Sequence, residues 1–181
     1  MELLNNDTDR GNDNKGEGMV QTRLQLNKRW KETDDSNLRF VESVEAGHSN
    51  HTSSSEIASG LNISCPPIRL DSQVKYGVLT RGDADIYLRL PRHKGHDDEG
   101  NKILYRENIW DHAAGHIILS EAGGIVTDMD GQSLDYRYGS KLEKNKGIVA
   151  TVGPQTLHSR VVAFVASCCA AHIDPKTEDP A

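Results

Sequence analysis

Hydrophobic and polar positions follow two rhythms along this chain. In "ADIYLRL" the period is two: Ile86, Leu88 and Leu90 face one way, and Asp85, Tyr87 and Arg89 the other. That alternation predicts a half-buried strand. In "IWDHAAGHIILSEAGGIVTD" the period lengthens. Trp110, Ala113, Ala114, Ile117 and Ile118 fall at offsets 0, 3, 4, 7 and 8 and make one apolar stripe. This predicts a buried helix ended by Gly123 and Gly124, with "GIVTD" turning into a strand. "LRFVESVE" and "KGIVATVGP" read as further strands, and "PPIRLD" as extended because proline disfavours helix before it. "SSSEIASGLN" reads as a short helix. "SQVKYGVLT" reads as another, opened by Asp71 or Ser72 as cap and closed by Gly82. A last helix from Pro154 places Leu157, Val161, Phe164, Val165 and Cys168 on one face. Strands alternating with helices imply an α/β layered domain.

The pattern fails at both ends. Residues 1–37 are rich in Asn, Asp, Gly, Lys and Glu without periodicity, and are expected to be disordered or loosely packed. Residues 173–181 form a polar tail, which leaves 38–172 as the α/β lobe. Inside the lobe, "PRHKGHDDEGNKILYREN" is a long polar insertion centred on 96–104.

Composition narrows the function classes. The chain has 181 residues, enough for one domain and too few for two comfortable ones. A net charge of −6 argues against a nucleic-acid face but not against small phosphorylated molecules. Three cysteines, two of them adjacent, suggest reduced thiols rather than a disulfide framework. No apolar run reaches the ~20 residues that cross a bilayer. A cytoplasmic protein without nucleic-acid or membrane partners is the expectation.

Candidate chemistry clusters in a few places. Asp111 opens a helix, where a carboxylate is stabilised by the free N–H groups. It can be a plain cap, or it can hold a hard cation while the N–H groups meet a phosphate; spacing alone favours the cap. Ala113, Ala114 and Gly115 would let a ligand approach closely. Ser72 and Lys75 share a face in a helical first turn, which suits either an anion or a cap with a solvated lysine. Arg89, beside Tyr87 on the non-core strand face, can bind phosphate, stack on a base or simply stand at an edge. His48 follows a glycine at a strand end. His112 and His116 have zinc-pair spacing without a third ligand, so surface or half-buried histidines are expected. Asp128, Asp130 and Gly131 read as a reverse turn.

Together, "FVESVEAGHSNH", "RLDSQVKYGVLTRGDADIYLRLP", "IWDHAAGHIILSEAGGIVTD" and "LDYRYGSKL" resemble the C-terminal half of the 3′(2′),5′-bisphosphate nucleotidases. These belong to the inositol monophosphatase-like superfamily of magnesium-dependent, lithium-sensitive phosphatases. The resemblance spans roughly Leu38 to Val165. It implies the C-terminal α/β part of that fold and hydrolysis of adenosine 3′,5′-bisphosphate to AMP and phosphate with Mg²⁺. It also implies a magnesium and substrate contact at Asp111. Ser72, Lys75 and Arg89 would hold the nucleotide and its phosphates, and His48 would line the nucleotide pocket.

The departures are as specific. The family's Asp-x-x-Asp-Gly-Thr motif and glutamate pair belong to an N-terminal half, and that motif does not occur in these 181 residues. One carboxylate cannot assemble a multi-metal site. A truncated enzyme part is therefore expected, with a missing N-terminal lobe as its partner and little activity alone. A non-catalytic nucleotide-binding module and an inositol phosphate phosphatase are the alternatives.

Overall fold

A computed structural model describes residues 35–44, 51–90 and 93–173. In chain order its elements are β1 (Phe40–Glu42), α1 (His51–Gly60), β2 (Ile68–Arg69), α2 (Val74–Arg81), β3 (Ile86–Arg89), β4 (His93–His96), β5 (Lys102–Leu104), α3 (Ala113–Glu121), β6 (Ile125–Thr127), β7 (Ile148–Thr151) and α4 (Gln155–Ile173). A 3-10 turn, Ile109–Asp111, feeds directly into α3.

Five strands form one sheet in the order β2-β1-β3-β7-β6. β1 runs parallel to β2 and to β3, while β7 is antiparallel to both β3 and β6. Strand alternation sends neighbouring residues into two different cores. Phe40, Ile86, Leu88 and Val149 pack on one face with Ile57 of α1 and with Leu157, Val161 and Val165 of α4. Val41, Tyr87, Ile148 and Ala150 pack on the other face with Tyr76 and Leu79 of α2 and Leu119 of α3. This is the layered α/β lobe expected from the sequence, a sheet with helices on both sides.

Three local expectations are corrected. The second face of β3 is no solvent face: Tyr87 is buried against Tyr76 at a centroid separation of 5.3 Å. The polar insertion holds the hairpin β4–β5, whose turn is closed by Asp97 accepting from the backbone N–H groups of Glu99 and Asn101. Helix α2 does end at Gly82 in the left-handed region (φ 77°), but neither Asp71 nor Ser72 caps its start. Gln73 takes that place and spends its side chain elsewhere.

The largest correction concerns α3. Its apolar stripe faces outward, with Trp110 60%, Ile117 64% and Ile118 54% exposed. The buried stripe is His112, Gly115 and Leu119. The reason is close helix packing: a Cβ on Gly115 would stand inside the Tyr76 ring of α2. Gly115 therefore serves the α2–α3 contact, not the approach of a ligand. The expectations for 1–34, 174–181 and His48 lie outside the described residues.

Candidate active site

In a sheet wound in both directions from a central strand, the crevice opens beyond the carboxyl ends of the parallel strands. Here β1 is that strand, with α1 crossing on one face towards β2 and α2 on the other towards β3. Ser43 follows β1, Asp71 and Ser72 follow β2, and Arg89 ends β3. All four line a cleft of about 390 Å³, together with Lys75, Tyr87, Tyr105, Glu107, Asn108, Asp111 and His112. The amino end of α2 opens onto the same space, adding its partial positive charge.

Two cations and a buried carboxylate dominate the interior. Lys75 is almost fully buried; its Nζ donates to the Leu70 carbonyl (3.3 Å) and sits 5.3 Å from the centroid of the Tyr87 ring. Burial, reinforced by the Arg89 guanidinium, pushes its ammonium down to about 8, against the pull of Asp71, Asp111 and Glu107. Arg89 Nε donates to Glu107 Oε1 at 2.9 Å. Burial works against the charge of Arg89, but that hydrogen bond outweighs it and holds the guanidinium above its ordinary value. Glu107 Oε2 lies 3.4 Å from His112 Nε2, and His112 Nδ1 lies 2.9 Å from the Tyr76 hydroxyl. Burial would raise the Glu107 carboxyl, yet His112 and Arg89 hold it below the usual carboxylate range.

Asp111 sits on the rim, exposed, at the end of the 3-10 turn. Asn108 Nδ2 donates to its Oδ2 at 3.0 Å, and Lys141 Nζ donates to Asn108 Oδ1. Gln73 fastens this rim to α2: its Nε2 donates to the Trp110 carbonyl, and its Oε1 accepts the Gly115 N–H, both at 2.8 Å. A helix leaves its first N–H groups unpaired, so one amide caps α3 from outside while fixing Asp111 relative to Ser72 and Lys75. Ser72 itself holds φ 52°, a left-handed backbone uncommon outside glycine.

The cleft does not by itself suit Mg²⁺, which takes several oxygen ligands in near-octahedral geometry. Asp71 and Asp111 offer only two exposed carboxylates, and both Glu107 oxygens are engaged with Arg89 and His112. Among the described residues no three His, Cys, Asp or Glu side chains are grouped as a metal centre requires. His112 and His116 are likewise tied to tyrosines, His116 Nδ1 lying 2.8 Å from the Tyr136 hydroxyl.

Of the residues singled out from the sequence, Ser72, Lys75, Arg89 and Asp111 line one cleft although up to 39 positions separate them. Sequence reasoning missed Glu107 and expected His112 to be surface or half-buried, whereas it is buried. The signal available was small: a glutamate four residues before Asp111 in "YRENIWD". Tyr105 was also missed; it, not the buried Tyr87, is the more open aromatic ring on the cleft.

Residues 8–168 match the sequence model of the inositol monophosphatase family. A relative from Oryza sativa named 3′(2′),5′-bisphosphate nucleotidase is 51% identical over 112 residues, covering 62% of this chain and 28% of the relative. One of the same name from Emericella nidulans is 48% identical over 126 residues, covering 70% and 33%. One from Dictyostelium discoideum is 43% identical over 120 residues, covering 66% and 33%. Thus the matched part spans about a third of the length of these curated relatives. Among solved structures, the IMPase of Thermotoga maritima superposes with a TM-score of 0.56 at 18% identity, covering 84% of this chain and 48% of that one. The inositol monophosphatase of Anabaena gives 0.54 at 18% identity, covering 80% and 48%. At such identities the structures speak to the fold alone.

Proposed function

The chain belongs to the inositol monophosphatase family, and from that premise we propose that it is the C-terminal, nucleotide-holding part of a 3′(2′),5′-bisphosphate nucleotidase. Family membership points to a metal-dependent phosphatase; Mg²⁺ is the metal we propose, with Asp111 its one ligand on this chain. The observation that carries the reading is the convergence of Ser72, Lys75, Arg89 and Asp111 on a single cleft. A phosphate dianion suits a buried ammonium beside a fixed guanidinium, since charge-assisted bonds are strong where water is scarce. Tyr105 offers a ring on which a base can stack; His48, outside the described residues, enters this reading only through the family resemblance, as a nucleotide contact. The proposed substrate is adenosine 3′,5′-bisphosphate. In the whole enzyme, water attacks the 3′-phosphorus, the P–O3′ bond breaks, and AMP and phosphate leave. The residues of this chain bind and orient; those that activate the water are not among them.

We place the complementary half of the fold against the outward stripe of α3. Trp110, Ile117 and Ile118 are all more than half exposed, and so is Val74 of the neighbouring helix α2, at 58%. The solved relatives are about twice as long as the region they share with this chain. Residues 38–172 would then be one lobe of a two-lobe enzyme in the cytoplasm. Among the described residues no helix is long and apolar enough to cross a membrane.

Calorimetry on this chain tests the reading. Adenosine 3′,5′-bisphosphate should bind, and Lys75→Ala and Arg89→Ala should each weaken binding about tenfold, ~1.4 kcal/mol. Unchanged affinity in both variants would exclude the cleft as the nucleotide site. Phosphate release with Mg²⁺ should be absent, and robust release would contradict the assignment of this chain as a holding part. That same absence of chemistry is what a non-catalytic binding module would show. An upstream coding segment carrying Asp-x-x-Asp-Gly-Thr separates the two.

A further inference from the structure

An anion-holding cleft has little electrostatic use for a buried carboxylate, yet Glu107 is only 5% exposed inside this one. The charged lining is Lys75 and Arg89 against Asp71, Glu107 and Asp111. On charge alone, removing Glu107 should tighten the binding of any phosphate. Its contacts argue the opposite. Oε1 takes the Arg89 Nε–H at 2.9 Å, and Oε2 faces His112 Nε2 at 3.4 Å. His112 is 2% exposed and is held from its other nitrogen by the hydroxyl of Tyr76, itself 1% exposed. The Tyr76 ring stands edge-on to those of Tyr87 and His112. The backbone of Glu107 is fixed as well, its carbonyl accepting the Leu142 N–H at 2.9 Å.

We propose that Glu107 is a positioning residue, which aims the Arg89 guanidinium into the cleft and is itself held rigid by His112 and Tyr76. A long arginine side chain loses up to ~2 kcal/mol of rotamer freedom when it grips a ligand. A guanidinium already pinned at Nε has met part of that cost before the ligand arrives, which is how preorganisation gains affinity. Glu107 touches neither a reacting atom nor a metal in this scheme. Both its oxygens are engaged, and releasing either would leave a buried partner unsatisfied. This inference rests on the nucleotide-holding reading for its affinity arm, and on Arg89 alone for its spectroscopic arm.

The test uses the 181-residue chain and adenosine 3′,5′-bisphosphate as probe. Glu107→Ala should weaken binding about tenfold, while Glu107→Gln, which keeps an oxygen for Arg89 Nε, should recover most of that loss. In an Arg89→Ala background, Glu107→Ala should add less than about twofold, since a residue acting through another loses its effect without it. Glu107→Asp, which keeps the charge but shortens the reach, should weaken binding when measured well below its own melting temperature, and serves if the alanine variant fails to fold. In the unliganded chain the Arg89 Nε–H proton should exchange with solvent at least about tenfold faster after Glu107→Ala. Equal or tighter binding in Glu107→Ala or Glu107→Asp overturns the proposal, and so does additivity with Arg89→Ala. If the native chain binds no probe, the nucleotide reading fails and the Nε–H signal decides alone: faster exchange retains Glu107 as the residue that fixes Arg89, and an unchanged rate removes it.

Discussion

Lys75 keeps a charge where a charge is expensive, and that makes it a sensor of the cleft. With burial and Arg89 pushing its ammonium down to about 8, the unliganded chain loses this charge in mildly alkaline solution instead of far above it. Protonated Lys75 is the form that attracts phosphate, so nucleotide affinity should fall as pH rises through about 8. Calorimetry between about pH 7 and about pH 9.5 should show that decline. Lys75→Met should bind weakly throughout and lack it. Gly115 gives a second test at this scale. Alanine in place of a helical glycine ordinarily gains up to about 1 kcal/mol, with the most in a helix interior and less in a first turn such as that of Gly115. Here the added methyl meets the ring of Tyr76, which is buried and tethered to His112 and cannot swing away. Overpacking of this kind costs about 1–3 kcal/mol, so Gly115→Ala should lower stability in urea unfolding despite the better helix former.

Elements were legible wherever periodicity alone decided them. The two-residue alternation of "ADIYLRL" gave β3, and the left-handed Gly82 gave the end of α2. What alternation could not tell was that both faces of β3 are buried. Period two separates residues into two sets, and only the layers stacked on the sheet decide whether the second set meets water. For α3 the failure has a different cause. An amphipathic stripe marks the side that a helix buries in the complete fold, whereas the stripe of α3 is open in these residues. The face that does pack carries a single large apolar residue, Leu119, beside His112 and Gly115, so its signal was weaker than that of the outward stripe. Of the site, the four residues that belong to recognisable stretches were legible, and Glu107 was not, because its role depends on partners brought together by folding. An experiment separates the two faces. Ile117→Lys with Ile118→Glu should change unfolding free energy by less than about 1 kcal/mol, as surface substitutions do. A loss of about 2–5 kcal/mol would mean that the stripe is core after all.

At the scale of the whole molecule, acid should loosen the lobe in a defined order. His158 ties α4 to the sheet: Nδ1 lies 2.9 Å from Thr151 Oγ1 on β7, and Nε2 lies 3.0 Å from Thr127 Oγ1 on β6. Burial lowers its tendency to protonate below the ordinary 6.5, and burial does the same to His116 beside Tyr136. The unfolded chain therefore takes up protons at these histidines before the folded one does. Stability is full above about pH 6.5 and declines as pH falls from there towards the folded values. Glu107 acts lower down. Its carboxyl is held below 4.5 by His112 and Arg89 against the effect of burial, so its contribution stays intact through the histidine window and is lost only in stronger acid. Urea midpoints measured from about pH 7.5 to about pH 5 should accordingly drop first on account of the histidines. His158→Gln keeps hydrogen bonding to the threonines but cannot titrate, so it should flatten part of that slope whatever it does to the absolute midpoint. A slope unchanged by His158→Gln and His116→Gln together would show that the acid sensitivity of the lobe arises elsewhere.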